Sequence, residues 1–84
     1  MDHAATLDIV LEAVRAQFGM RCPDSLNPDT PIARIIGADD IDTLEISISL
    51  EDELGTLLPD TVAEQPTPRA MADAICNHLK EQAA

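Results

Sequence analysis

The chain has 84 residues, and its 16 acidic against 5 basic residues give it a formal net charge of -11. This length holds one domain, here taken as residues 1–84, and leaves little room for a deep catalytic cleft. The charge argues against nucleic acid as a partner, because phosphate backbones are bound by Lys and Arg, and it favours basic protein surfaces. From the charge we also expect a monomer.

The N-terminal residues Met1-Asp2-His3 are not those of a secretory leader, and no segment is long and apolar enough to span a membrane. Cys22 and Cys76 lack the spacing of metal ligands, so two free thiols in a reducing compartment are predicted. These observations together predict a cytoplasmic protein without membrane insertion.

The first predicted helix covers Leu7–Phe18, where apolar residues recur every three or four positions. Thr6 is predicted to cap its N-terminus, with Asp8 in the first turn, and Gly19 is predicted to end it. Such a stripe indicates a helix that packs on the core through one side.

A loop is predicted for residues 20–38, because Pro23, Pro28 and Pro31 interrupt any helical pattern. A loop this long is uncommon in a small domain and is often functional. Its apolar residues are expected to tuck under the helices, and they are Met20, Leu26, Ile32, Ile35 and Ile36.

The second helix is predicted from about Asp40 to Leu54, with Gly55 closing it. Asp39 or Asp40 can cap its N-terminus. Asp42 adds negative charge to the first turn, where the helix dipole favours anions.

After Pro59 a short turn or helix is predicted around Thr61–Gln65. A longer helix follows, with Thr67 as its cap and Pro68 at its first position. The tail after Lys80 is expected to fray. The buried face of this longer helix is expected to be Met71, Ile75, Cys76 and Leu79. Since no strand pattern is present, the predicted fold is all-α, a small four-helix bundle with a long first loop and a short third helix.

Residues 37–45, with the sequence GADDIDTLE, resemble the attachment motif of acyl carrier proteins, which reads roughly Gly-Ala/Gly-Asp-Ser-Leu/Ile-Asp. Residues 50–55, LEDELG, are similar to the end of that family's second helix, and Pro59-Asp60 stands where the family has a turn. The resemblance covers nearly the whole chain. It implies a four-helix fold of the acyl-carrier-protein type, the handling of thioester-bound acyl groups, and docking to synthases and transferases through the second helix.

In that family a serine at the start of the second helix carries 4'-phosphopantetheine, and here Asp40 holds that position. A carboxylate cannot supply the hydroxyl, so we expect no such arm on this chain. Asp24-Ser25-Leu26 matches the core of the motif, but the prolines that follow prevent a helix from starting there. Ser47 and Ser49 lie within the helix, away from its start, and are weaker candidates still.

The second helix carries two apolar stripes. Ile46, Leu50 and Leu54 are four residues apart and are expected to face the core. Ile41, Leu44 and Ile48 fall on a different side and are predicted to form an exposed docking face for an apolar groove with a basic rim. The carboxylates predicted to border this face are Asp42, Glu45, Glu51 and Asp52. The alternative is that Ile41 and Leu44 pack against the long loop.

Seven acidic residues lie from Asp39 to Glu53, with no Lys or Arg among them. The cluster as a whole is predicted to steer basic partners in a salt-dependent way. Asp40 has three interpretations: helix stabilisation of about 0.3–1 kcal/mol, mimicry of the phosphodiester charge, and catalysis with Asp39. Catalysis is disfavoured because adjacent residues at a helix start point apart. His3 and His78 are predicted to be solvated rather than metal ligands.

Two functions stay open at this point. The first is a carrier-like scaffold or regulator without an arm, and the second is a genuine acyl carrier whose attachment serine has been changed to Asp. An enzyme is disfavoured because the sequence has no evident set of nucleophile, base or metal ligands. Cargo and pathway are undetermined, since fatty acid, polyketide, lipid A and peptide-type carriers share this pattern.

Overall fold

The computed structural model describes residues 2–83, in which three α-helices are joined by two loops. The helices are α1 (His3–Phe18), α2 (Asp40–Leu54) and α3 (Pro68–Ala83). Single-turn 3-10 helices lie between them at Gly19–Arg21, Ile32–Arg34 and Asp60–Val62. α1 packs against both α2 and α3. The predicted all-α class is confirmed for these residues.

Of the predicted short turn or helix after Pro59, the structure shows the 3-10 turn Asp60–Val62, so the α-helix of a four-helix bundle is not confirmed there. Its hydrogen bonds join residues three apart, from the Val62 N–H to the Pro59 carbonyl and from the Ala63 N–H to the Asp60 carbonyl. Pro59 and Pro66 leave only six residues between them, too few to offset the cost of starting an α-helix. The bundle described by residues 2–83 therefore has three α-helices rather than four.

α1 begins one turn earlier than predicted, because Asp2 and not Thr6 is its cap. The Asp2 carboxylate accepts a hydrogen bond of 2.7 Å from the Ala5 N–H. Thr6 is buried within the helix, and its hydroxyl donates to the Asp2 carbonyl at 2.9 Å. The predicted end at Gly19 is confirmed by its positive φ of 55°.

The other helix ends lie where the sequence places them, apart from the C-terminus. The Thr67 hydroxyl caps α3 by accepting from the Ala70 N–H at 3.1 Å. Gly55 closes α2 in the left-handed conformation, with φ of 67°. α3 continues to Ala83, past the predicted fraying point at Lys80. Ala84, the last residue of that predicted tail, lies outside the described residues, as does Met1.

One aliphatic core joins the three α-helices, the long loop and the turn Asp60–Val62, with Phe18 as its single aromatic residue. α2 contributes Ile46 and Leu50, which are fully buried, and Leu54 packs beside them. The core therefore confirms the first predicted stripe of α2. Its other fully buried hydrophobic residues are Val10, Val14, Val62, Met71, Ala72 and Ile75.

The long loop is fixed to the start of α3. The Ile32 N–H donates to the Pro66 carbonyl at 2.9 Å, and the Arg69 N–H donates to the Pro28 carbonyl at 3.0 Å. The Arg69 side chain also pairs with Asp29, with 2.7 Å between Nε and Oδ1. These bonds hold an irregular segment against the bundle and so fix the approach of the chain to α2.

The apolar residues of the loop divide into two groups. Leu26, Ile32 and Ile35 are buried as predicted. Met20 and Ile36 are exposed, so the prediction that they tuck under the helices is wrong. Ile36 follows the buried Ile35 directly, and in this turn only Ile35 faces the core.

Candidate functional site

The first turn of α2 is built by a reciprocal pair of side chains. The Asp39 carboxylate accepts a hydrogen bond from the Asp42 N–H at 3.0 Å, and Asp42 accepts one from the Asp39 N–H at 3.1 Å. This capping box satisfies two backbone donors that a helix start leaves open. Asp39 is therefore the cap, which settles the choice between Asp39 and Asp40.

Asp40 is the first residue of α2, and its side chain is exposed. Among residues 2–83 its carboxylate has no hydrogen-bond or salt-bridge partner, and it contributes to the turn through its backbone carbonyl, which accepts from the Thr43 hydroxyl at 3.0 Å. The fold thus presents residue 40 to solvent on a capped helix start. Nothing in the cap itself requires a carboxylate there.

No exposed hydroxyl stands at this helix start. The Thr43 hydroxyl is engaged with the Asp40 carbonyl, and Ser47 is buried. Ser49 is exposed but lies more than two turns further along α2. Ser25 is exposed in an irregular stretch, which confirms that no helix begins at the Asp24-Ser25-Leu26 motif. The residues present at position 40 and around it therefore do not fit the attachment of a phosphodiester-linked arm.

Gln17, near the end of α1, holds the first two turns of α2 in place. Its side-chain amide donates to Asp42 Oδ1 at 3.0 Å and to Glu45 Oε2 at 2.7 Å. A single amide thus bridges two carboxylates that are three residues apart on one side of α2. These two hydrogen bonds hold the start of α2 in a fixed position relative to the end of α1.

Arg21 supports the same turn from the loop side. Its guanidinium Nη1 donates to the Ile36 carbonyl at 3.3 Å, and its Nη2 lies 3.9 Å from Asp42 Oδ1. The guanidinium also lies over the Phe18 ring, 5.1 Å from the ring centre. Gly37 leaves room for it: a Cβ at that position would lie 2.7 Å from Arg21 Nη1.

Asp42 differs from the predicted docking carboxylates, because it is only 9% exposed. The hydrogen bond from Gln17 is the main reason that the pKa of the Asp42 carboxyl lies below its ordinary value of 3.8, and burial opposes this effect. The Asp39 N–H and the Arg21 guanidinium lower the same pKa further. Asp42 therefore orders the helix start, and the prediction that it lies on an exposed rim is wrong.

The second apolar stripe of α2 is exposed. Ile41, Leu44 and Ile48 are 63%, 53% and 49% exposed, respectively. The alternative that Ile41 and Leu44 pack away against the long loop is therefore wrong. We call these three residues the α2 stripe. An apolar row of this length, left open on a small acidic protein, is typical of a protein-binding surface.

The predicted rim carboxylates have different surroundings. Glu45 and Asp52 are exposed, although Glu45 also accepts the bond from Gln17. Glu51 is half-buried, and its Oε2 accepts from the Leu58 N–H at 2.7 Å, so it fixes the chain after α2. Glu45 and Asp52 are thus the members of the predicted set that can meet a partner directly.

A cleft of about 360 Å³ opens beside residue 40, between α2 and the turn that follows it. Leu44 and Ala63 supply apolar surface, and Asp60 and Glu64 add carboxylates at its edge. Its volume lies in the range of small-ligand sites. A group held at residue 40 would have this recess next to it.

Sequence reasoning missed several residues of this region. Leu57, which is 79% exposed, extends the α2 stripe past Ile48, and both border one hollow. Gln17 and Arg21 were also missed, because no pattern along the chain shows which polar side chains of one helix reach another. The adjacent pair Leu57-Leu58 gave no periodic signal, and only Leu58 packs against the core.

The thiols and imidazoles lie away from residue 40. Cys22 and Cys76 are free, as predicted, but Cys76 is half-buried rather than a core residue. The histidines are not simply solvated: His3 bonds to Asp73, and His78 Nε2 lies 3.2 Å from the Leu57 carbonyl. Within residues 2–83 no three His, Cys, Asp or Glu side chains come together as a metal site. No helix in the same range is long and apolar enough to cross a membrane.

Comparisons with known proteins show which proteins the chain is similar to. Residues 8–75 match the sequence model of the family described as "Phosphopantetheine attachment site". The chain is 32% identical to an acyl carrier protein of Cyanidioschyzon merolae over 81 residues, which are 95% of this chain and 88% of that protein. It is 31% identical to an acyl carrier protein of Chlorobium phaeovibrioides over 65 residues, 77% of this chain and 82% of that protein.

Proposed function

Because the chain belongs to the acyl carrier protein family with its phosphopantetheine attachment site, we propose that it is a carrier-type module that docks on acyl-handling enzymes through α2 but is not itself loaded. The family consists of non-catalytic carriers, so the chain is a carrier protein rather than an enzyme. The observation that carries the proposal is the residue at position 40: an exposed carboxylate on an otherwise well-formed helix start.

The chemistry of attachment supports an unloaded chain. Transfer of the arm from coenzyme A needs a hydroxyl oxygen that attacks phosphorus, breaks the P–O bond to the adenosine bisphosphate part, which leaves, and gives up its proton. Asp40 offers a carboxylate instead, and the neighbouring Thr43 hydroxyl points back to the Asp40 carbonyl. 4'-Phosphopantetheine accordingly belongs to a serine-bearing relative and not to this chain.

The charge of Asp40 supports a role beside loaded carriers. A phosphodiester at this position would carry about one negative charge, and an ionised Asp carries the same. An enzyme that recognises the charge and the α2 stripe would bind this chain without finding an arm. The chain would then act as a scaffold, or as a competitor of an intact carrier.

The surface of α2 supports docking to basic enzyme surfaces. The α2 stripe gives apolar contact area, and the exposed Glu45 and Asp52 lie on the same helix. Charges in this arrangement mainly raise the association rate and set the orientation of the partner. The formal net charge of -11 acts in the same direction over a longer range.

Intact-mass analysis tests whether the hydroxyl is all that is missing. The chain and its Asp40→Ser variant are each incubated with coenzyme A and a phosphopantetheinyl transferase. We expect no mass gain for the chain and the mass of one arm on Asp40→Ser. The matched control is Thr43→Ser, which adds no hydroxyl at position 40 and should gain nothing.

The outcomes separate an intact attachment site from one that has diverged further. Loading of Asp40→Ser indicates that only the hydroxyl is missing. No gain in either chain supports a scaffold whose site has diverged further. A pantetheine arm on the unaltered chain, at any side chain, would show that the proposal of an unloaded module is wrong.

A further inference from the structure

A second exposed apolar surface, which we call the loop groove, lies in the long loop just before α2. It encloses about 230 Å³, and its wall includes Pro23, Pro31, Ile35 and Ile36, with Arg21 and Arg34 at its edge. Ile36 is 81% exposed at this edge. The groove therefore combines apolar surface with two of the chain's five basic residues.

The local charge at the loop groove differs from that of α2. Residues 19–38 contain two arginines and two aspartates, and one of these aspartates, Asp29, is already paired with Arg69. Arg34 is exposed and has no ion-pair partner within the described residues. α2 in contrast carries no basic residue. Arg21 is itself paired with Asp42, and the exposed Asp24 is not among the residues that line the groove. The loop groove thus presents one exposed cation without an ion-pair partner, Arg34, next to the acidic α2.

The loop groove and α2 are continuous through Arg21. Its guanidinium contacts both the Ile36 carbonyl and the Asp42 carboxylate, so the edge of the loop groove lies against the first turn of α2. In sequence, residue 40 lies four residues after Ile36 and four before Leu44. Specific interfaces cover roughly 800 Å² on each partner, a patch on the order of 30 Å across, whereas the chain measures 39 × 23 × 18 Å. A footprint of that size centred on residue 40 includes parts of both surfaces.

This inference rests on the docking proposed above. We propose that the docking surface is bipolar, which means that it binds its partner through acidic groups on α2 and a basic group at the loop groove. An enzyme that acts at residue 40 places basic groups over Glu45 and Asp52, seats an apolar side chain beside Ile36, and places a carboxylate at Arg34. A uniformly basic partner would set like charges against Arg34, which opposes binding. The two-sign pattern also fixes the direction in which a partner lies along α2, since the reversed orientation would mismatch both ends.

Loading kinetics in the Asp40→Ser background test this pattern, with a phosphopantetheinyl transferase as the probe and coenzyme A at saturation. Arg34→Glu is expected to raise the KM for the carrier about five- to tenfold without changing kcat, as loss and reversal of one exposed ion pair would do. Arg15→Glu is the control: it makes the same charge change on α1, and Arg15 is exposed and points away from the side of Gln17. It should change KM by less than about twofold, the effect of net charge alone.

The outcomes distinguish this inference from the proposed function. If Glu45→Lys raises KM while Arg34→Glu does not, docking through α2 stands and the bipolar pattern is overturned. A lower KM for Arg34→Glu also overturns it, because the partner would then be basic at that position. If neither variant changes KM, docking through α2 is itself refuted.

A second readout covers the case in which Asp40→Ser does not load. Binding of the Asp40 chain to the immobilised transferase is measured for the same variants, and Arg34→Glu should weaken it by the same factor while Arg15→Glu does not. Equal binding of the Arg34→Glu and Arg15→Glu chains would overturn the inference. Circular dichroism confirms that each variant is folded, as expected for exposed side chains.

Discussion

Leu44 and Leu50 offer a matched pair of substitutions that separates binding from folding. Both lie on α2, but Leu44 is 53% exposed and Leu50 is 0% exposed. Replacing each with Ala removes the same atoms from two different environments. We expect Leu50→Ala to destabilise the fold and Leu44→Ala to weaken docking.

The expected magnitudes follow from burial. Leu→Ala at a fully buried site costs about 2–5 kcal/mol, because it removes apolar contacts and leaves a cavity. The total stability of a domain this size is about 4–13 kcal/mol, so Leu50→Ala removes a large share of it. For a domain this small, about 1 kcal/mol shifts the unfolding midpoint by about 4–8 °C. Leu50→Ala should therefore lower Tm by more than about 10 °C.

Leu44→Ala should change Tm by only a few degrees. Much of the Leu44 side chain is already in water, and surface substitutions usually change stability by less than about 0.5 kcal/mol. Its effect should appear in binding, where loss of a central apolar anchor typically costs more than about 1 kcal/mol, or roughly a fivefold to tenfold rise in Kd.

The assay is thermal unfolding by circular dichroism, combined with binding to an immobilised phosphopantetheinyl transferase at a temperature at which both variants are folded. Leu50→Ala should bind like the unaltered chain there. The reasoning is refuted if Leu44→Ala lowers Tm as much as Leu50→Ala, since the α2 stripe would then belong to the core. It is refuted equally if Leu44→Ala binds without loss.

Two further predictions concern the turn that leads into α2. In urea unfolding, Gly37→Ala should destabilise the fold more than Gly55→Ala, by up to about 1 kcal/mol. Both glycines have positive φ, but only at Gly37 would a Cβ lie 2.7 Å from Arg21 Nη1. If Gly37→Ala is still more destabilising than Gly55→Ala in an Arg21→Ala background, this explanation is wrong. Asp42→Asn should lower the free energy of unfolding at about pH 7, and this loss should shrink as the pH falls. The pKa of the Asp42 carboxyl lies below its ordinary value of 3.8, so its stabilisation is present above that value and is lost as the pH falls through the folded value. The variant and the unaltered chain are compared by urea unfolding over a series from neutral to acidic pH, and a gap that stays constant would show that the Asp42 charge does not matter.

The sequence predicted the helical elements well where one local rule decided the outcome. Gly19, Gly55 and Thr67 end or cap helices as predicted, because each acts on its own backbone. Thr6 was wrong as a cap, because Asp2 offers the same chemistry one turn earlier and Thr6 fits inside the helix. Cap chemistry predicts that a helix starts nearby, but it does not choose between two suitable residues a turn apart.

The candidate site was predicted less completely, because its polar contacts join distant parts of the chain. The spacing placed the α2 stripe on a different side from the core residues, and the carboxylates around it favoured the exposure that the structure shows. The burial of Asp42 did not, because it depends on Gln17 of the preceding helix, 25 residues away in sequence. Ile35 and Ile36 show a similar limit: in an irregular turn, no periodicity indicates which of two adjacent apolar residues faces the core.

Position 40 can vary without disturbing the fold that presents it. Asp39 and Asp42 cap the helix, Gln17 and Arg21 hold its start, and the one contact of Asp40 in this turn uses its backbone carbonyl. Exchange of its carboxylate for a hydroxyl removes only the dipole interaction of an exposed anion, about 0.3–1 kcal/mol. In the function proposed above, docking and loading are therefore separable: the α2 stripe and the loop groove would select the enzyme, and residue 40 would decide whether that enzyme finds a hydroxyl. A chain with the first property and without the second would occupy a carrier-dependent enzyme without delivering cargo.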